Sequence, residues 1–215
     1  MEEDGGAAVF GVFDGHGGKE VAIYAARHFV QLLTQNPRYQ TGNYETALLG
    51  SGRAATDSLG CKVSDLHTTG STGLCNCGWG HRRKGTADCT AVVALLQDST
   101  LYVTNAGDSR AVLGRKGKVV EMSLDHKPDS PEELARITAA GAYVVEGRVN
   151  GNINLSRSLG DLEYKDARSI PPERQAVTAR PDERSVSLTS DDDFLVICCD
   201  GIWDILTSQE CVSFI

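Results

Sequence analysis

The sequence predicts an α+β fold, and three observations carry that prediction. Residues 90–124 break into four short β-rich runs separated by turn residues, the mark of antiparallel strands. "KEVAIYAARHFVQLLTQ" places Val21, Tyr24, Ala25, His28, Phe29 and Leu32 at helical spacing, one apolar stripe of an amphipathic helix. "SPEELARITAAG" carries its own start and stop signals. Strands and helices in this order imply sheets with helices on the outside.

Taken along the chain, "VFGVF" is an apolar strand that runs into Asp14-Gly15-His16-Gly17-Gly18. Asp and Gly after a strand are ordinary turn residues. They are also a way to hold a carboxylate at a fixed point while glycines leave room for a ligand. Asn36-Pro37 stops the helix that follows. "YETALLGSGRAATDSLG" is a second helical segment, weakened by its glycines. Residues 67–85, rich in Gly, Ser and Thr with a basic end, read as a surface insertion loop. The β-rich region then forms an antiparallel meander with tight turns at Gln97-Asp98-Ser99, Gly107-Asp108-Ser109 and Lys116-Gly117. Ser130 and Glu133 predict a capping box, Pro131 the first helical position and Gly141 the stop. "AYVVEGRVNG" and "INLSRSLGD" are strand-like, and residues 163–185 read as an excursion loop. "DFLVICC" is the last strand; it meets Asp200-Gly201, and "IWDILTSQECVSFI" begins a helix. Neither a repeat nor a linker divides residues 1–215, so a single domain is expected.

Composition narrows the function. Apolar residues make up 40% of the 215 and charged residues 23%, the balance of a globular protein. A chain of this length buries about 70% of its unfolded surface without staples. A formal charge of −8 argues against wholesale binding of nucleic acid or anionic membranes. No apolar run is long enough to span a bilayer, and "MEEDGGAAVF" lacks the features of a signal peptide. Seven cysteines, two adjacent in an apolar strand, suit free thiols in a reducing compartment, so cytoplasm or nucleus is expected.

The chemistry concentrates at strand ends. Asp14-Gly15 and Asp200-Gly201 each follow an apolar strand and precede a helix; Gly107-Asp108 lies between two strands, and Asp204 follows Asp200 by four. If these ends converge, the carboxylates repel and need protons or cations. Oxygen ligands without a thiol or imidazole cluster favour Mg2+ or Mn2+ over zinc. Asp108 fits a type I′ hairpin turn as well as a metal ligand. Cys75, Cys77 and His81 lack a nearby fourth ligand and make a poor zinc site. "HRRK" at 81–84 suits either a solvated charge run or a surface that steers anionic substrates. His126 and Asp161 are expected to hydrogen-bond in the interior, and Trp203 to pack.

"VFGVFDGHGG", "GTADCTAVVALL", "NAGDSRAVL", "DHKPDSPEELARI", "GRVNGNINLSRSLGD" and "VICCDGIWDIL" occur in the order seen in the metal-dependent protein phosphatases, the type 2C serine/threonine phosphatases. The resemblance runs from about residue 7 to the last. It implies two antiparallel β-sheets packed as a sandwich and flanked by α-helices, a four-layer αββα arrangement. It also implies two Mn2+ or Mg2+ ions, and a weaker third, that activate water to hydrolyse phosphoserine and phosphothreonine without a phosphoenzyme intermediate. Position by position, Asp14 resembles the carboxylate bridging both metals and Gly15 a backbone-carbonyl ligand. His16 resembles the general acid, and Asp200 the ligand on the second strand. Asp108, Asp200 and Asp204 match the third site. Phosphorylated proteins are the implied partners, with a monomer expected.

The chain departs from the family pattern at both ends. Residues 1–6 offer neither the acidic ligand nor the phosphate-binding arginine of a preceding family strand, and the sequence stops at Ile215, before a late Asp-Asn pair. Asp88-Cys89 stands where small hydroxylated residues are usual. The expectation is therefore an incomplete catalytic domain. Two readings stay open, a phosphatase and a catalytically impaired scaffold or phosphoprotein-binding module.

Overall fold

A computed structural model describes residues 6–64 and 87–215 of the chain. Strand β1 (Ala8–Val12) and the short β2 (Gly15–His16) precede helices α1 (Glu20–Thr34), α2 (Pro37–Gln40) and α3 (Tyr44–Ser64). Then come β3 (Asp88–Cys89), β4 (Ala91–Gln97), β5 (Thr100–Ala106), β6 (Arg110–Arg115), β7 (Lys118–Glu121) and helix α4 (Pro131–Ala139). The chain continues through β8 (Val144–Val145), β9 (Arg148–Val149), β10 (Leu159–Gly160), β11 (Asp182–Ser187) and β12 (Asp192–Cys198). It ends in α5 (Asp200–Trp203) and α6 (Ser208–Phe214). Residues 67–85, with Cys75, Cys77 and His81, lie outside the described residues.

Two antiparallel sheets carry the fold, one in the order β1-β4-β5-β11 and the other β12-β6-β7. Strand alternation builds the layers. Val92, Ala94, Leu101 and Val103 of the first sheet face Ala111, Leu113, Leu195 and Ile197 of the second. Val93 and Leu95, on the other side of β4, meet Phe29 and Leu33 of α1 and Ala47 and Leu48 of α3. Val112, Phe194, Val196 and Cys198 turn outward onto Trp203, Cys211 and Val212. The result is helix, sheet, sheet, helix. Strand β4 is almost uniformly apolar because both of its faces are covered.

The expected meander is not one sheet. Strands β4 and β5 pair in the first sheet and β6 and β7 in the second. Residues 107–109 therefore carry the chain across the sandwich, and the hairpin alternative for Asp108 falls away. Gly107 adopts φ +124°, and a Cβ there would stand 2.7 Å from Thr90 Cβ. Only glycine fits that approach. The crossing is clamped by Thr90 Oγ1 and Ser109 Oγ, 2.7 Å apart, and by Asn105 Nδ2, which donates to the carbonyls of Gly107 and Leu124.

Three further expectations are corrected. Ser130 starts α4 with Pro131 behind it, but its side chain makes no cap bond. Glu133 does not close a capping box, because it is buried between Arg136 and Arg157 at 2.7 Å from each. The excursion of 163–185 closes early, as β11 begins at Asp182 and pairs with β5. The final helix is two, interrupted after Trp203 and restarted by a capping box of Thr207 and Glu210.

The two guanidinium groups hold the Glu133 carboxyl down to about 2 against the opposing effect of burial. A depressed carboxyl adds stability above its unfolded value near 4.5, and that contribution is lost as pH falls towards 2. Urea unfolding of Glu133→Ala should show a loss of about 2–3 kcal/mol at neutral pH, because Arg136 and Arg157 lose their shared carboxylate while Arg157 keeps Asp182 and Arg136 its backbone carbonyls. Glu133→Gln should flatten the decline between pH 4.5 and 2.

Candidate metal centre

The centre lies where edge strands of the two sheets end side by side. Strand β1 leads through Phe13 to Asp14, and β12 leads through Cys199 to Asp200. Phe13 is anchored against Phe29 of α1, with ring centroids 5.7 Å apart. The Asp14 carbonyl accepts the Thr90 N–H at 2.9 Å, which ties this strand end to β4. One ligand atom each from Asp14, Cys199 and Asp200 falls within a group whose members all lie within 4.8 Å of one another.

Gly15 and His16 form β2 and pair with Cys89 and Asp88. A Cβ on Gly15 would stand 3.0 Å from the Gly18 carbonyl and 3.2 Å from Ala22 Cβ, so the start of α1 packs directly on this backbone. His16 Nε2 lies 4.0 Å from Asp14 Oδ2. Its other ring nitrogen, Nδ1, is buried without a hydrogen-bond partner.

Asp108 and Asp204 stand outside the tight group. Asp108 is 1% exposed. Lys127 donates to its Oδ2, while Oδ1 has no partner. Burial raises the Asp108 carboxyl above the ordinary range; Lys127 opposes the shift and Asp200 adds to it. Asp204 is exposed, and its N–H donates to the Asp200 carbonyl at 2.8 Å. The field on the Lys127 ammonium comes from Asp108, Asp125 and Asp204. An ammonium thus contacts one of the three carboxylates that the family resemblance implies for a further cation.

On the other side of His16, a cavity of about 230 Å³ is lined by Asp88, Asp161, Asn152 and Tyr164 among others. Burial, then the neighbouring Asp161, pushes the Asp88 carboxyl up to about 8. Asp161 is likewise raised by burial, with Lys165 opposing the shift. Lys165 donates to the carbonyls of Ser158 and Gly160, and burial brings its ammonium down to about 8. Asp161 accepts from Ser158 Oγ at 2.9 Å, and His126, 3% exposed, bonds Asp182 and Gly107, both interior roles as expected. Trp203 packs and donates from Nε1 to the Cys198 carbonyl at 2.8 Å.

Sequence reasoning missed Lys127, Asp88 and Cys199. For Cys199 a signal existed: adjacent strand residues face opposite sides, so Cys198 and Cys199 cannot both enter the core. The donor set fits a hard divalent cation. Asp14 and Asp200 offer converging carboxylates, and the bare Oδ1 of Asp108 marks unmet demand for positive charge beside them.

The sequence pattern of protein phosphatase 2C matches residues 2–215. The chain belongs to the protein phosphatase 2C family. It is 45% identical over 207 residues to protein phosphatase 2C homolog 2 of Schizosaccharomyces pombe, covering 96% of this chain and 51% of that one. It is 46% identical over 213 residues to probable protein phosphatase 2C 6 of Paramecium tetraurelia, covering 96% and 68%. The chain thus spans about half of the first relative and about two thirds of the second. Among solved structures, the serine-threonine phosphatase 2C of Toxoplasma gondii superposes with a TM-score of 0.77 at 21% identity, covering 96% of this chain and 72% of that one. That likeness establishes the fold, in agreement with the four layers of this phosphatase 2C family member.

Replacing Lys127 with Met should leave the buried Asp108 carboxylate without its cation. Allowing for the exposure of the lysine, thermal unfolding should show a loss of about 1–3 kcal/mol. Mn2+ should restore part of it, whereas Ca2+-free, Mg2+-free buffer with chelator should not.

Proposed function

We propose that this chain is the catalytic part of a Mn2+- or Mg2+-dependent protein serine/threonine phosphatase. The convergence of Asp14 and Asp200 from two different sheets, with His16 beside them, carries the reading. Family membership supports it. Relatives with 45% and 46% identity are named as protein phosphatases.

In this reading Asp14, Asp200 and the Gly15 carbonyl hold the cations, with Asp108 and Asp204 supplying a weaker flank. Bound divalent cations would supply acidified water and offset charge on the transferring phosphoryl group. His16 stands at the edge of the carboxylate group and delivers a proton to the departing serine or threonine oxygen; imidazole titrates near neutral pH, as that task requires. Phosphoproteins are the substrates. The described cysteines, Cys89, Cys198, Cys199 and Cys211, are all free, which supports action in a reducing compartment such as the cytoplasm or nucleus.

The test is hydrolysis of a phosphothreonine peptide with and without Mn2+. Activity should require metal and fall at least about 100-fold in Asp14→Asn. His16→Ala should lose about 10²–10⁴-fold on the peptide and much less on p-nitrophenyl phosphate, whose leaving group needs no proton. A folded, metal-loaded protein that binds phosphopeptides without hydrolysing them would point to the scaffold reading instead.

A further inference from the structure

The donor group at the strand ends is not made of oxygen alone. Strand alternation sends Cys198 outward into the cluster of Trp203, Cys211 and Val212. Cys199, the next residue, has extended backbone (φ −80°, ψ 177°) and turns to the opposite side, towards Asp14. Its Sγ and one carboxylate oxygen each from Asp14 and Asp200 lie within 4.8 Å of one another. All three residues are half-buried. A second observation points to a ligand here. Asp108, 1% exposed and close enough to Asp200 to feel its charge, keeps Oδ1 without a partner.

The geometry points to a thiophilic mode of this centre, in which Cys199 joins Asp14 and Asp200 to bind Zn2+ or Cd2+ through one sulfur and two oxygens. This rests on reading Asp14 and Asp200 as metal ligands, and goes beyond it by adding a donor of different chemistry. Zinc takes sulfur at about 2.3 Å and oxygen at about 2.0–2.2 Å, which sets tetrahedral ligand atoms about 3.5 Å apart. The atoms lie within 4.8 Å of one another, so any closure needed is at most about 1.3 Å, within the reach of side-chain rotation. Binding converts the thiol to a thiolate and releases its proton to solvent, with no oxidant involved. Mg2+ and Mn2+ gain little from sulfur, whereas Zn2+ and Cd2+ prefer it. The same carboxylates then serve two classes of cation, and the soft one competes with the hard one.

The experiment is a Cd2+ titration of the 215-residue chain, followed by the ultraviolet sulfur-to-cadmium charge-transfer absorption. Cys75 and Cys77 are replaced by serine throughout, so that their thiols do not contribute. The parent protein should show the band, and Mn2+ in excess should diminish it. Cys199→Ala should lose the band and bind Cd2+ at least tenfold more weakly, while Mn2+ affinity, read by electron paramagnetic resonance, changes less than twofold. Asp14→Asn, which keeps the thiol, should weaken the Cd2+ band as well. Cys199→Ser serves if the alanine variant does not fold by circular dichroism; it too should lose the band. An unchanged Cd2+ band and affinity in the Cys199 variants would overturn the proposal. A band that persists in excess Mn2+ would overturn it too, since the two cations would then occupy separate places. Mn2+ binding that survives in Asp14→Asn would instead count against the metal-centre reading, so the two failures are told apart.

Discussion

Like charges held together at the edge of a low-dielectric sandwich set the terms for the rest of this structure. Asp14 and Asp200 are carried to one place by strands from different sheets, and Asp108 lies buried beside them. Such an arrangement is unfavourable unless positive charge is supplied. The protein supplies some of it from Lys127 and leaves the Oδ1 of Asp108 unsatisfied. A fold that merely needed turns at its strand ends would have no reason to gather carboxylates there.

The scaffold that enforces this crowding is rigid for identifiable reasons. The crossing at residues 107–109 is held by Thr90, Ser109 and Asn105, and Gly107 fits against Thr90 only because it lacks a side chain. Arg110, immediately beyond, forks onto Asp125 with bonds of 2.9 and 2.8 Å and lies 5.1 Å from the Trp203 ring centroid. That contact fixes the start of β6 against the short helix that follows Asp200. Glu133, Arg136, Arg157 and Asp182 form a second network, buried at Glu133 and Arg157 and open to solvent at Asp182, that ties α4 to β11. Buried ion networks of this kind contribute less to net stability than to the uniqueness of the arrangement, since breaking one partner is costly while replacing all need not be.

His16 stands between two acidic environments of opposite character. On one side the half-buried carboxylates of Asp14 and Asp200 converge. On the other, burial and the neighbouring Asp161 raise the Asp88 carboxyl and burial raises that of Asp161, with Lys165 close by. Asp88 and Asp161 are each 2% exposed, whereas Asp14 and Asp200 are half-buried.

What the sequence determined by itself was local. The period of α1, the Pro131 start and Gly141 stop of α4, the apolar strands β1 and β12, and the Asp-Gly pairs that follow them are all written in short-range chemistry. The family resemblance added the sandwich and the roles proposed for Asp14, His16 and Asp200. Only tertiary structure decided which strands share a sheet, because β4 is apolar on both faces and its pattern names no partner. For the same reason Asp108 read as a hairpin turn until the sheets were seen to part at Gly107. Glu133 matched a capping box in spacing, yet two buried arginines from its own helix and a distant loop claim it. Lys127 entered the centre unannounced, and Cys199 with only the alternation of its strand to hint at it, since proximity across two sheets depends on long-range packing that no window of sequence contains.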